Sequence, residues 1–257
     1  MKNIHNRSFN ALSHYLSPLE VWALSFGCAV GWGAFVMPGT TFLPFAGPYG
    51  TAIGMILGAF IMLIIGINYH FLMNRYPDAG GTLTYSIRAF GFNHGLLSAW
   101  FLILVYIAIM WANATAIVLI NTPANAFKFL MAISVCVPFL GRAAIGWIVD
   151  VNTIGALIAY AYTSAAACKI AKNDGHKPIV FTGIIGTVIS AVFFFYFLIP
   201  NIWSAGNLSS ESYLILIIWS IFGLAFFMFV FKHNEQIHFG KSITLWLTLL
   251  FMIFLFL

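Results

Sequence analysis

The sequence predicts an all-α integral membrane protein of about eight hydrophobic segments. Three observations carry that reading: the chain is too oily for a water-soluble domain, apolar stretches of membrane-spanning length recur along it, and none of them alternates as a strand would. Of 257 residues, 62% are hydrophobic and 7% charged, with a mean hydropathy of +0.98, whereas soluble domains run near a quarter charged. Backbone amides in hydrocarbon must be satisfied within their own segment, so apolar runs without period-two alternation read as helices. The segments fall near 21–44, 48–73, 95–120, 125–140, 145–168, 178–200, 212–231 and 242–257. The loops between them are too short for a soluble domain, so 1–257 reads as a single transmembrane domain.

The first sixteen residues, "MKNIHNRSFNALSHYL", are polar and lack the apolar core of a cleavable signal peptide, so the first span is expected to act as an uncleaved insertion signal. Glu20 follows Ser17 and Pro18 and reads as a helix-start cap. The first segment then contains "GCAVGWGAFVMPG" (27–39), four glycines and a proline in thirteen residues. Each interior glycine costs a helix about 1 kcal/mol relative to alanine, and proline about 3 kcal/mol. Two readings stand side by side. A helix unwound at mid-membrane would open free N–H groups and a positive dipole end to an anionic group such as a carboxylate. A tightly packed glycine-rich helix kinked by Pro38 has the same composition.

In the second segment Gly50, Gly54 and Gly58 form a small-residue ridge, read as a packing face within the bundle. The stretch "NRYPDAGGTLTYSIRAFGFNH" after it reads as a polar loop. In the third segment Trp111 and Asn113 stand out, and Asn113 reads as a polar lining residue or, the favoured reading, as a packing hydrogen bond. The stretch 125–140 is short, carries Lys128 and ends at Pro138, so it is expected not to cross fully. In 145–168 Asp150 is the one acid inside a span-like sequence. Such acids are functional candidates by default, although its place near Arg142 favours an interface position or a local ion pair. The last segment, 242–257, is oily to its end.

Several function classes fall away. The net charge of +5 comes from eleven Lys and Arg scattered through the loops, which reads as topology signal and not as a nucleic-acid patch. Twenty-seven Phe suit lipid contact and helix packing. Cys28, Cys136 and Cys168 fall in apolar runs without metal spacing and read as free thiols. His70, His94, His176, His233 and His238 sit near span ends, and no pair has ligand spacing inside a span. No nucleophile motif, paired-carboxylate site or nucleotide loop stands out, so neither an enzyme nor a cofactor is expected.

Three stretches in order, "GCAVGWGAFVMPG", "YPDAGGTLTYSIRAFG" (76–91) and "PFLGRAAIGWIVDVNTIGALIAYAYTSAAA" (138–167), resemble signatures of amino acid permeases of the amino acid–polyamine–organocation superfamily. The likeness runs from residue 16 to about 231. It implies part of a five-plus-five inverted-repeat (LeuT-like) transporter fold with a broken first helix, substrate being held at the broken first and sixth helices. Carried over, Val30, Gly31, Trp32 and Gly33 would line the carboxylate and backbone of an amino acid substrate, with Cys28 and Ala29 beside them. Residues 17–120 resemble spans one to three, 121–231 resemble spans nine to twelve, and 241–257 form an additional hydrophobic segment. Spans four to eight have no counterpart. The resemblance therefore implies amino acid transport across the plasma membrane by a secondary, proton-coupled type of permease, impaired by the missing helices and with self-association as one way to complete the bundle. The alternative is a non-transporting remnant or a membrane interaction or sensory module.

Charge placement sharpens this. Lys2 and Arg7 predict a cytoplasmic N-terminus, and Arg75 with Arg88 and Lys169 with Lys172 and Lys177 predict two cytoplasmic loops. Two full crossings at 125–140 and 145–168 would instead put the Lys169 loop outside, so parity fails unless 125–140 does not span.

Overall fold

The computed structural model describes residues 17–29, 37–119, 142–200, 208–231 and 239–255; helices dominate these residues and no strand occurs among them. Helix α1 (Pro18–Ala29) begins with a capping box. The Ser17 backbone N–H donates to Glu20 Oε2 at 2.7 Å, the Ser17 hydroxyl donates to the same oxygen at 2.8 Å, and the Glu20 N–H returns to Ser17 Oγ at 3.4 Å. Reciprocal bonds of this kind satisfy amides that a helix start leaves orphaned, and they hold the Glu20 carboxyl below its ordinary range. The expected cap is therefore present. The glycine-rich stretch after Ala29 lies outside the described residues until Met37.

From Pro38 to Phe42 the chain makes one turn of π-helix, closed by the Leu43 N–H on the Pro38 carbonyl. Helix α2 (Leu43–Arg75) then continues but is broken in its path at Gly47, with φ 65° and ψ 176°. Proline disfavours helical geometry in the residue before it, and glycine alone takes positive φ without strain. Gly47-Pro48 thus turns the gap between the first two apolar segments into a kink. The stretch read as a polar loop instead contains helix α3 (Thr82–Phe90), entered at Gly81 and left at Gly91, both at positive φ. Its buried residues are Thr82, Tyr85, Ser86 and Ala89, the i, i+3, i+4, i+7 stripe of an amphipathic helix.

Helix α4 (Phe92–Leu119) leads to helix α5 (Arg142–Asp174), which ends at Gly175 with φ 77°. Helix α6 (Lys177–Leu198) starts with a proline in its first turn. Helices α7 (Ser210–Phe231) and α8 (Phe239–Leu255) complete the chain's order. Among the described residues five helices are long and apolar enough to cross a membrane, namely Leu43–Arg75, Phe92–Trp111, Gly146–Asp174, Lys177–Leu198 and Ser210–Phe229, and a shorter apolar helix covers Ile243–Leu255. The protein is a multi-pass, all-helical membrane protein. Five spans in place of eight segments reflect the shortness of 243–255, the position of 30–36, in the middle of 21–44, outside the described residues, and that of all of 125–140 outside them.

Helix α5 is the hub, packed by α2, α3, α4, α6 and α7. It runs antiparallel to α4: His94 meets Tyr162, Phe101 meets Gly155, and Ala108 clusters with Ile148. Each step down α4 is matched by a step back up α5. The chain therefore leaves α4 and enters α5 at one end of the bundle, and the parity conflict in the charge pattern disappears. At the other end Arg75 Nε pairs with Asp174 Oδ2 at 3.1 Å, Arg88 lies over the Tyr76 ring and Lys169 over the Phe90 ring. The Arg75–Arg88 and Lys169–Lys177 segments thus share one end. Single cysteines placed in these two segments of a cysteine-free protein are expected to react with an impermeant maleimide from the same side of a sealed vesicle. Labelling from opposite sides would refute this arrangement.

The core sits where α4, α5, α7 and α8 meet, around Phe101, Ile154, Leu216, Phe227 and Trp246. Trp100 and Trp219 stack at 5.0 Å between ring centroids, and each indole N–H donates to the other's carbonyl, at 3.1 and 3.3 Å. The exchange satisfies two indole donors in a place without water. Helix α2 behaves differently along its length. Its last turns bury Ile65, Asn68 and Leu72, while Phe45, Tyr49, Ile53 and Phe60 are exposed. Among the described residues the ridge of Gly50, Gly54 and Gly58 meets no partner helix: a Cβ on Gly54 or Gly58 would meet nothing within 4 Å, and one on Gly50 only Ala46 of its own helix.

Candidate functional site

The residues that the permease resemblance picks out are placed only in part. Cys28 and Ala29 close the last turn of α1, their side chains lying outside the described residues, as do Val30, Gly31, Trp32 and Gly33 entirely. Asn113 and Arg142 have described backbone only, and Trp111 lies on α4 with part of its indole exposed.

Sequence reasoning missed a buried polar layer near the basic end, between α2, α3, α5 and α6. Asn68 is fully buried. Its Nδ2 donates to Ser164 Oγ at 3.3 Å and to the Thr182 carbonyl at 3.2 Å, while Thr182 Oγ1 donates to Asn68 Oδ1 at 2.9 Å. On the adjacent residues, Tyr69 OH pairs with Thr82 Oγ1 at 2.9 Å, which also receives Thr163 Oγ1 at 3.2 Å. Ser98 Oγ joins Ser86 Oγ at 3.1 Å and the Gly95 carbonyl at 2.9 Å. The signal was present in sequence: Asn68 interrupts an apolar run, and Thr163–Ser164 interrupt another.

Close backbone approach makes the layer possible. A Cβ on Gly183 would sit 2.8 Å from Cys168 N and 2.9 Å from its Cα, and one on Gly186 would sit 2.6 Å from Ser164 Oγ and 3.0 Å from Asn68 Nδ2. Interhelical hydrogen bonds in membranes average about 0.6 kcal/mol each, and an unmet polar group in hydrocarbon costs several. Both amide hydrogens and the carbonyl of Asn68 are used, so the layer reads as a lock that fixes α2 on α5 and α6, not as an open binding site. Cys168 carries a free thiol beside it.

At the opposite end Asp150 caps α7. Its Oδ2 accepts the Ser212 hydroxyl at 2.8 Å and the Ser209 N–H at 3.4 Å, and Ser209 Oγ accepts the Ser212 N–H at 3.3 Å. A carboxylate at a helix N-terminus is favoured by the helix dipole, by up to about 2 kcal/mol when partly buried. Tyr213 OH donates to the Leu198 carbonyl at 2.6 Å and ties the same corner to the end of α6. The described partners of Asp150 are serines at the start of α7, and the side chain of Arg142 lies outside the described residues.

Among the described residues no group of His, Cys, Asp and Glu is arranged to hold a metal ion. The cavities lie between helices on the α4–α5–α6 side. One of about 240 Å³ is lined by Leu97, Ile158, Tyr162, Phe194, Leu249 and neighbours. One of about 270 Å³ is lined by Phe90, His94, Ala161, Tyr162, Ala165 and Thr187.

Comparison with known proteins adds one match. Over 105 residues the chain is 30% identical to the methylthioribose transporter of Bacillus subtilis (strain 168). The match takes in 41% of this chain and 23% of that transporter, so the chain spans less than a quarter of the relative it resembles. No protein-family model matches the chain, and no solved structure matches it. The relative is thus a transporter by name, and this chain shares with it a stretch of 105 residues.

Proposed function

We propose that the chain belongs to a secondary permease of the amino acid–polyamine–organocation type, moving a small organic solute across the plasma membrane with its N-terminus in the cytoplasm. The observation that carries this is the transporter match on a chain whose described helices are of membrane length. The first solute class is an amino acid. Support comes from the "GCAVGWGAFVMPG" stretch, whose glycines leave backbone N–H groups open to a carboxylate. On this reading Val30, Gly31, Trp32 and Gly33 form half of the site, with Cys28 and Ala29 beside them, and a second copy of the chain supplies the surface that completes it. A second reading, favoured by the relative's name, is a neutral thiosugar such as methylthioribose, held by hydroxyl hydrogen bonds.

Uptake of labelled amino acids and of methylthioribose into proteoliposomes separates the two. Saturable amino acid uptake supports the first reading, methylthioribose uptake alone supports the second, and a flat signal from folded protein favours a non-transporting membrane module.

A further inference from the structure

We propose that the α4–α5–α6–α8 face holds one anionic phospholipid, its phosphate at Lys169 and His94 and its acyl chains in the slot below. Phe90, His94, Ala161, Tyr162, Ala165 and Thr187 line the upper cavity. Ala161 and Tyr162 also line the next one down, which continues through Leu97, Ile158, Phe194 and Leu249. That cavity shares Ala191 and Phe195 with a third, of about 450 Å³, bounded by Val188, Val192 and Tyr196 on the outer side of α6. Three cavities with shared walls make one branched groove. All three are almost purely apolar, and His94 and Thr187 stand among the upper walls.

The top is also the basic end. Lys169 is one helical turn above Ala165, with its Nζ 5.0 Å from the Phe90 ring centroid, and Phe90 is a wall of the upper cavity. His94 Nδ1 shares a hydrogen bond with Tyr162 OH at 3.0 Å, and its ring lies 5.9 Å from that of Phe90. Arg75, Arg88, Lys172 and Lys177 crowd the same end of the bundle, with Asp78 and Asp174 as its acids among the described residues. By the positive-inside rule this end faces the cytoplasmic leaflet, where anionic lipids lie and where basic pockets between helices take their headgroups.

Depth fits as well. The cavity linings along α5 run from Ala165 to Leu157, about 12 Å at 1.5 Å per residue, and Lys169 stands one turn beyond them. Half of a hydrocarbon core is about 15 Å. The α5 wall is thus about one leaflet deep with a cation at the headgroup level above it, and the α6 branch runs on to Tyr196, near the far end of that helix.

Native mass spectrometry of the purified full chain, delipidated in neutral detergent and titrated with dioleoyl phosphatidylglycerol or dioleoyl phosphatidylcholine, tests this. The expected result is one saturable phosphatidylglycerol adduct per chain, formed at least about fivefold more readily than the phosphatidylcholine adduct. Lys169→Gln should remove that preference, while Lys172→Gln, which changes the same net charge at the same end, should keep it. Ala161→Trp should fill the groove and abolish the adduct. Lys169 and Lys172 are exposed, so their variants keep the test open if Ala161→Trp does not fold. Equal binding of the two lipids would overturn the proposal, as would equal losses in Lys169→Gln and Lys172→Gln. A change of oligomeric state in Ala161→Trp without lipid preference in the parent chain would assign the groove to a second copy instead.

Discussion

Replacing Gly183 by valine is expected to separate α6 from α5 and to destabilise the folded bundle by about 3 kcal/mol or more, the upper end of overpacking costs. The reason is what the new Cβ meets. Its neighbours at 2.8 and 2.9 Å are the Cys168 backbone N and Cα, and a helix backbone cannot swing aside as the tip of a side chain can. The displacement would also pull on the polar layer next door. Thr182, adjacent to Gly183, donates to and accepts from Asn68, so moving α6 unpairs groups that have no water to turn to. Gly54→Ala is the matched control. A Cβ there has nothing within 4 Å, and alanine is the better helix former by about 1 kcal/mol in water, so no loss is expected. Thermal unfolding in detergent, followed by circular dichroism, checks both. A Gly183→Val protein as stable as its parent would mean that the α5–α6 approach is looser than these distances.

That contrast marks the limit of what the sequence discloses. Span positions were legible because hydropathy reports them directly: 95–120, 178–200 and 212–231 appear as Phe92–Leu119, Lys177–Leu198 and Ser210–Phe231. Helix ends were less so. Helix α5 runs on through Lys169 and Lys172 to Asp174, because charged residues continue a helix into the headgroup region and only Gly175 stops it. Helix α3 was hidden inside a polar stretch, although the 82, 85, 86, 89 spacing was there to be found. Which glycines matter was not legible at all. Gly54 in a regular small-residue ridge packs on nothing described, while Gly183 and Gly186, in a run without a long motif, bear the close approach of α6 to α5. Spacing tells which residues share a face; only the partner helix tells whether that face is covered. Asn68 follows the same rule, since its three bonds come from residues 96 to 114 positions away. For the site residues 30–33 the sequence remains the sole guide.

If the amino acid reading of those residues holds, replacing Gly31 or Gly33 by valine is expected to weaken substrate binding about tenfold to a hundredfold or more, one charge-assisted hydrogen bond being worth about 1.5–3 kcal/mol. Two effects act together. A branched side chain stands between the backbone N–H groups and the carboxylate, and it resists the local conformation that frees those groups. Substitution of Trp32 is expected to act more mildly and to depend on the substrate, because its indole would border the side chain of the solute and not its carboxylate. Calorimetry with a panel of amino acids on the purified chain reads the difference, and methylthioribose in the same panel separates the two solutes. A solute without a carboxylate should lose less in Gly31→Val and Gly33→Val than an amino acid does, since no charge-assisted bond is at stake. Binding that survives both glycine substitutions unchanged would place the pocket elsewhere in the bundle.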